Sequence, residues 1–126
     1  MLSVARVRQV ALTIGILLPI AETLRRSGNL AEWWLWIDDY LIGASLIAGA
    51  RLSRGGSPDG LRALAAAWGV TCGMGYYSFV GHLLRIGETD VSGLPATVIT
   101  SVIGTGLVVA IWCLVSTITA APDRQT

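Results

Sequence analysis

Apolar residues fill four long stretches of this chain, and short polar segments separate them. The stretches cover residues 7–23, 33–52, 61–84 and 94–121. Each reaches the roughly 17–25 residues that an α-helix needs to cross a hydrocarbon core of about 30 Å. Unbroken runs of this length exclude a transmembrane β-barrel, whose strands are alternating segments of about 10 residues. The pattern predicts an all-α integral membrane protein with four transmembrane helices.

Helix-boundary signals place the four predicted helices at residues 7–26, 31–52, 58–85 and 93–121. The connections between them are short, which predicts an up-down antiparallel bundle that forms a single domain over residues 1–126. Pro19 lies inside the first helix and removes the amide that would bond to the carbonyl of Gly15. A kink is therefore expected near Pro19.

The connections also carry residues that are typical of helix starts. Asn29 and Glu32 match a capping box, which predicts that the second helix opens just before its tryptophans. Ser57 and Pro58 match an N-cap followed by proline at the first helical position, so the third helix should begin at Pro58. Pro95 fits the first turn of the fourth helix, where its missing N–H has no intrahelical partner.

Composition agrees with a membrane protein, since 53% of the 126 residues are hydrophobic and 13% are charged, against about 25% charged residues in soluble domains. The lipid bilayer is the predicted partner, together with another membrane protein or a second copy of the chain. A net charge of +1 without a basic cluster excludes nucleic acid. Catalytic, phosphate-binding and metal-binding motifs are missing, and the single histidine excludes haem held by two histidines. We therefore expect no cofactor, and an enzyme is not the favoured interpretation.

The first apolar stretch follows two arginines, as the apolar region of a secretory signal does. No small-residue cleavage site follows it, which predicts an uncleaved first helix. With four helices, six arginines lie on one side of the membrane and three on the other. Because arginine favours the cytoplasmic side, this asymmetry predicts a plasma (inner) membrane protein with both termini in the cytoplasm. The six are Arg6, Arg8, Arg51, Arg54, Arg62 and Arg124, and the three are Arg25, Arg26 and Arg85.

Three tryptophans at residues 33, 34 and 36 open the second helix on the predicted outer side. Tryptophan favours the membrane interface because its ring is apolar while its N–H seeks water or headgroups. An interfacial anchor is the favoured interpretation of this cluster. A platform on which a ligand stacks is the alternative.

The outer ends of the predicted helices carry the chain's candidate polar layer. Its two aspartates are expected to lie near the headgroup level, where an ionised carboxylate must face protein or water. Two interpretations stay open: a structural set of ion pairs, with Glu22 bonded to Arg26 and Arg85 neutralising an aspartate, or a pocket in which an aspartate titrates and His82 switches with external pH. The layer comprises Glu22, Arg25, Arg26, Asp38, Asp39, Ser78, His82 and Arg85.

Small residues mark the faces on which the helices should approach one another. Gly69 and Gly73 are four residues apart in the third helix, a spacing that lets two helix backbones come close. Packing against the second or fourth helix of the same chain is the favoured interpretation, and a seam between two copies is the alternative. Asp38 and Asp39 also lie on separate faces of the second helix, and both faces contain small residues.

Three functions fit these observations. The favoured one is a structural or partner-binding membrane protein, such as a modulator or assembly factor. The first alternative is a proton-coupled transporter or small-solute channel that uses Asp38, Asp39 and His82. The second is an accessory to an intramembrane enzyme. The sequence predicts the membrane class and leaves the biochemical activity open.

Overall fold

The computed structural model describes residues 1–28 and 30–120, with all of their side chains except those of Leu30, Glu32 and Leu35. The described chain is helical, as predicted, and two short 3-10 segments, Leu30–Trp36 and Ser53–Gly55, connect some of its helices. Two of the α-helices, the first and the fourth, are long and apolar enough to cross a membrane. The four α-helices are α1 (Val4–Arg26), α2 (Ile37–Leu52), α3 (Pro58–Leu83) and α4 (Ala96–Ile118).

The second helix is shorter than the sequence predicts. Residues 30 to 36 wind as a 3-10 helix, so α2 begins at Ile37 and has 16 residues. Crowding by three tryptophans and a first turn with two aspartates are consistent with this late start, because aromatic residues and aspartate are weak helix formers. α3 has 26 residues and contains several glycines and polar side chains.

The helix boundaries test several of the sequence signals. Ser57 accepts a hydrogen bond from the amide of Gly60 at 3.1 Å, and Pro58 is the first residue of α3, which confirms the predicted start. Pro95 lies just before α4 rather than in its first turn. The predicted capping residue Asn29 lies outside the described residues. α1 runs without a break through Pro19, so the kink stays a prediction.

Each helix packs mainly against its neighbours in sequence, and α1 touches α4 only slightly. α1 and α2 are antiparallel. Near the end of α1, Thr23 bonds to Tyr40 of α2, and near its start Arg8 bonds to the carbonyl of Ser53, just after α2. α1 and α4 meet where the amide of Leu2 donates to the hydroxyl of Ser116. The buried core between the helices is assembled from small and medium residues around the fully buried Trp68.

Glycines on two faces of α2 allow close approaches between helices. A Cβ added to Gly43 would lie 2.7 Å from the carbonyl oxygen of Gly15 and 2.6 Å from Cγ of Pro19. On another face, a Cβ at Gly49 would lie 3.0 Å from Cα of Leu64. The atoms that such a Cβ would meet belong to the backbone or to the rigid proline ring and cannot move aside. α1 and α3 can therefore lie this close to α2 only at its glycines.

The predicted packing role of Gly69 and Gly73 within the chain is wrong. Both glycines are exposed, and a Cβ added to either would meet no described atom within 4 Å. α3 instead approaches α4 through Gly104, whose Cβ would lie 2.9 Å from the ring of Phe79. The alternative, in which Gly69 and Gly73 form a seam with a second copy, stays a prediction.

A matched pair of glycine substitutions tests this packing. Gly43→Ala places a methyl group against Pro19 and the Gly15 carbonyl, and we expect a loss of about 1–3 kcal/mol from overpacking. Gly73→Ala is the control, because its methyl group enters open space and alanine favours the helix. Thermal unfolding in detergent, followed by circular dichroism, measures both. A Gly73→Ala protein that melts earlier than the Gly43→Ala protein would contradict the observed crossing.

Candidate functional site

The last turn of α1 carries the centre of a charged cluster. Glu22 is 5% exposed, although it is ionisable, and two arginines of the same turn neutralise it. Arg25 donates to Glu22 at 2.8 Å, and Arg26 bonds to the other carboxylate oxygen. The predicted pair of Glu22 and Arg26 is therefore present, and its burial distinguishes it from an ordinary pair on a helix surface.

Asp90, in the connection between α3 and α4, joins this cluster from a distant part of the sequence. Its carboxylate accepts from Nε of Arg25 at 3.0 Å, across a separation of 65 residues. The side chain of Asp90 is 6% exposed. The charged cluster, defined here as Glu22, Arg25, Arg26 and Asp90, thus ties the α3–α4 connection to the end of α1.

A tight turn holds Asp90 in place. The amide and the hydroxyl of Ser92 both donate to Oδ2 of Asp90, at 3.0 and 2.7 Å. The amide of Gly93 donates to the Asp90 carbonyl at 2.8 Å, and the Asp90 amide donates to the carbonyl of Leu94. Gly93 has a φ of 81°, a conformation that glycine adopts without a steric penalty. Aspartate, serine and glycine at this spacing are typical of such a turn.

The surroundings of Asp90 favour its ionised form. Burial by itself raises the pKa of this carboxyl, but the hydrogen bonds from Ser92 and the bond and charge of Arg25 outweigh burial and lower the pKa to about 2. Asp90 is therefore an anion throughout the physiological pH range. Its negative charge is a fixed part of the cluster.

His82 lies beside the cluster in the last turn of α3. Its Nδ1 is 2.9 Å from the carbonyl oxygen of Ser78, and its Nε2 is 4.0 Å from Oδ1 of Asp90. Ser78, a residue of the predicted polar layer, thus contacts His82 through its backbone carbonyl oxygen rather than through its hydroxyl. The structure brings His82 to the same end of the bundle as Glu22, Arg25 and Arg26.

The aspartates of α2 and Arg85 do not form the expected ion pairs among the described residues. Asp38 and Arg85 are exposed to the surroundings of the chain. Asp39 is partly buried and lies in the electrostatic field of Glu22, Arg25 and Arg26 without an ion pair to either arginine. The prediction that Arg85 neutralises an aspartate of α2 is wrong for the described residues, because Arg85 forms no ion pair with either aspartate. Arg25 and Arg26 pair with Glu22 and Asp90 instead.

The ion pairs of this cluster join two distant parts of the chain. Two guanidiniums and two buried carboxylates satisfy one another, and no described group of three or more His, Cys, Asp or Glu residues is placed to hold a metal ion. Comparison with known protein families, curated proteins and solved structures finds no match to this chain. What the cluster does must therefore be argued from its geometry.

Removing the Asp90 carboxylate charge tests its structural weight. Asp90→Asn loses the ionic bond to Arg25 and leaves a partly buried guanidinium with one partner fewer, so we expect a loss of about 1.5–3 kcal/mol. Asp59→Asn is the matched control, because Asp59 pairs with Arg62 at 2.8 Å while its side chain is 90% exposed, and exposed pairs contribute little. Thermal unfolding in detergent compares them. Equal melting points for the two variants would contradict a structural role for Asp90.

The lowered pKa of Asp90 also predicts an acid dependence. A carboxyl whose pKa is lower in the folded state stabilises the fold above its unfolded pKa, and this contribution disappears as pH falls through the folded value. For Asp90 the decline runs from about 3.8 to about 2, and it removes on the order of 2 kcal/mol. Unfolding should be measured at several pH values from 6 to 2. The Asp90→Asn variant should lack this part of the decline. If its free energy of unfolding falls with pH as steeply as that of the wild type, the assignment of this decline to Asp90 is refuted.

Proposed function

We propose that this chain is a small integral membrane protein that crosses the bilayer with four helices in an up-down antiparallel bundle. The supporting observation is the distribution of its side chains. Large apolar residues cover the outside, whereas glycine, alanine and serine line much of the inside. Only 17% of the apolar window in each of α1 and α4 is buried within the chain. A water-soluble protein of this size does not expose such a continuous apolar surface.

The order of the helices supports the assignment of α2 and α3 as spans. α2 lies between α1 and α3, and α3 lies between α2 and α4, so α2 and α3 have two main neighbours each. α1 and α4 have one main neighbour each and would expose the most surface to lipid, which fits the long apolar segment that each of them contains. At 1.5 Å per residue α2 rises about 24 Å, and the 3-10 segment before it contributes up to about 14 Å at 2.0 Å per residue, which together exceed the hydrocarbon core.

The aromatic residues before α2 fit the outer interface. Trp33 and Trp34 are exposed and pack edge to face, with ring centroids 6.4 Å apart. They lie four to six residues before Asp38 and Asp39 and therefore at the same end as the charged cluster. We assign this end to the outer surface of a plasma (inner) membrane and the two termini to the cytoplasm, in agreement with the arginine distribution.

Within the membrane, we propose a structural or partner-binding role. Transport of protons or small solutes would need polar groups that continue from the charged cluster to the opposite end. The buried hydroxyls in the described helices do not supply them: Thr100 and Thr117 donate to carbonyls four residues earlier in their own helix. Ser116 accepts from the Leu2 amide. Side chains satisfied in this way stabilise packing, and the partner would be another membrane protein or a second copy.

Reporter fusions test the topology. Alkaline phosphatase, active outside the cytoplasm, and a fluorescent protein, active inside it, should be fused separately after residues 126, 55 and 88. We expect cytoplasmic activity at 126 and 55 and external activity at 88, with the chain retained in membranes after alkaline extraction. Release by alkaline extraction would refute the membrane assignment, and external activity at residue 126 would refute the orientation.

A second measurement tests the proposed role. The protein should be reconstituted in liposomes that contain a pH-sensitive dye, and purified in mild detergent for mass determination. We expect no proton flux above that of empty liposomes, and a mass in native membrane extracts larger than that of the monomer. Proton flux abolished by Asp39→Asn would instead support the transporter.

A further inference from the structure

The proton on the neutral His82 ring can be assigned from its neighbours. Nδ1 lies 2.9 Å from the carbonyl oxygen of Ser78, and a carbonyl oxygen only accepts hydrogen bonds. Nδ1 therefore carries the hydrogen and donates it. In the neutral ring Nε2 is then left with a lone pair and without a hydrogen.

This lone pair faces an oxygen that also lacks a described donor. The three donors on Asp90, from Arg25 and Ser92, all bond to Oδ2. Oδ1 is turned toward Nε2 of His82 at 4.0 Å. Two acceptors thus face each other at a distance longer than a hydrogen bond. A proton on Nε2 would allow a charge-assisted hydrogen bond when the two side chains move closer together.

We propose that His82 and Asp90 form a pH-operated latch, in which protonation of His82 at Nε2 fastens the α3–α4 connection to the end of α3. The proton comes from the surrounding water and adds to the ring lone pair, and no other bond changes. Histidine is the side chain whose ordinary charge change falls between pH 5 and 8. Asp90 remains an anion over that range, because its pKa is far lower.

Charged groups of several elements surround the latch. Asp90 faces His82 from the connection, and Arg25 of α1 reaches Asp90 from its other side. Glu22 and Arg26 lie behind Arg25, and Asp39 of α2 lies in their field. Arg85 and Glu88, which follow His82 in the chain, are exposed. α4 contributes no charge, since the segment Ala96–Ile118 contains no ionisable acid or base other than Cys113.

The latch gives the α3–α4 connection a second side-chain anchor. Arg25 already fastens Asp90 to α1 at every pH above the acid range, and the latch adds α3 as a second anchor. In acidic surroundings the connection should open less often than at alkaline pH. This inference goes beyond the proposed structural role and does not depend on the identity of any partner.

Hydrogen exchange in the full chain, held in lipid nanodiscs, tests the latch. Amides of the turn at Asp90, Ser92 and Gly93 should be followed at pH 8 and pH 5, with rates corrected for the intrinsic effect of pH. We expect the corrected opening of this turn to be roughly threefold to fivefold lower at pH 5, the range that a partly exposed ion pair supports. His82→Gln should remove the difference, whereas Asp39→Asn should keep it.

A second measurement needs no variant, because the chain has one histidine. Nitrogen-15 labelling of that residue gives the tautomer directly from the ring shifts at alkaline pH. We expect hydrogen on Nδ1, and hydrogen on Nε2 would overturn the proposal. A pH difference that persists in His82→Gln, or that disappears in Asp39→Asn alone, would overturn it as well.

Discussion

The fold depends on a close approach between helix backbones at α2. Gly43 admits the Gly15 carbonyl and the Pro19 ring on one side, and Gly49 admits α3 on another. Lipid gives no hydrophobic drive for helices to associate, so van der Waals contact at such points has to supply the attraction. If the chain lies in a bilayer as we propose, these glycines are the positions where packing energy is concentrated.

The register set at this crossing determines which charges meet at the end of the bundle. With Gly15 beside Gly43, the chain brings Thr23 level with Tyr40 and places the last turn of α1 next to the first turn of α2. Asp90 then reaches Arg25 only because its own turn is closed by Ser92 and Gly93. A shift of α1 by one turn would move Glu22 and Arg25 by about 5.4 Å and separate these pairs.

Local signals predicted the features that depend on neighbouring residues. The start of α3 at Pro58 follows from Ser57 and the proline alone, and the pair of Glu22 and Arg26 follows from helical spacing. Asp90 could not be assigned in this way, because a sequence of aspartate, serine and glycine predicts a turn but not the arginine 65 residues away that pairs with it. The prediction from Gly69 and Gly73 failed for a different reason. Their spacing allows another helix to approach closely, but no described helix lies against them. Which glycines lie in a helix contact depends on how all the helices pack together. Gly43 lies in one because Gly15 and Pro19 of α1 face it.

The buried carboxylates Glu22 and Asp90 lie together, away from the hydroxyl groups that are buried within the helices. Hydroxyl groups within the helices bond to their own backbone, as Thr100 and Thr117 do, and thereby cease to be available to a solute. The buried carboxylates of Glu22 and Asp90 instead lie where Arg25 and Arg26 neutralise them. His82 stands at the edge of this set with one bonded nitrogen and one unbonded nitrogen. Because Asp90 keeps its charge between pH 5 and 8, we expect a change at His82 to appear as a change in how firmly the α3–α4 connection is held.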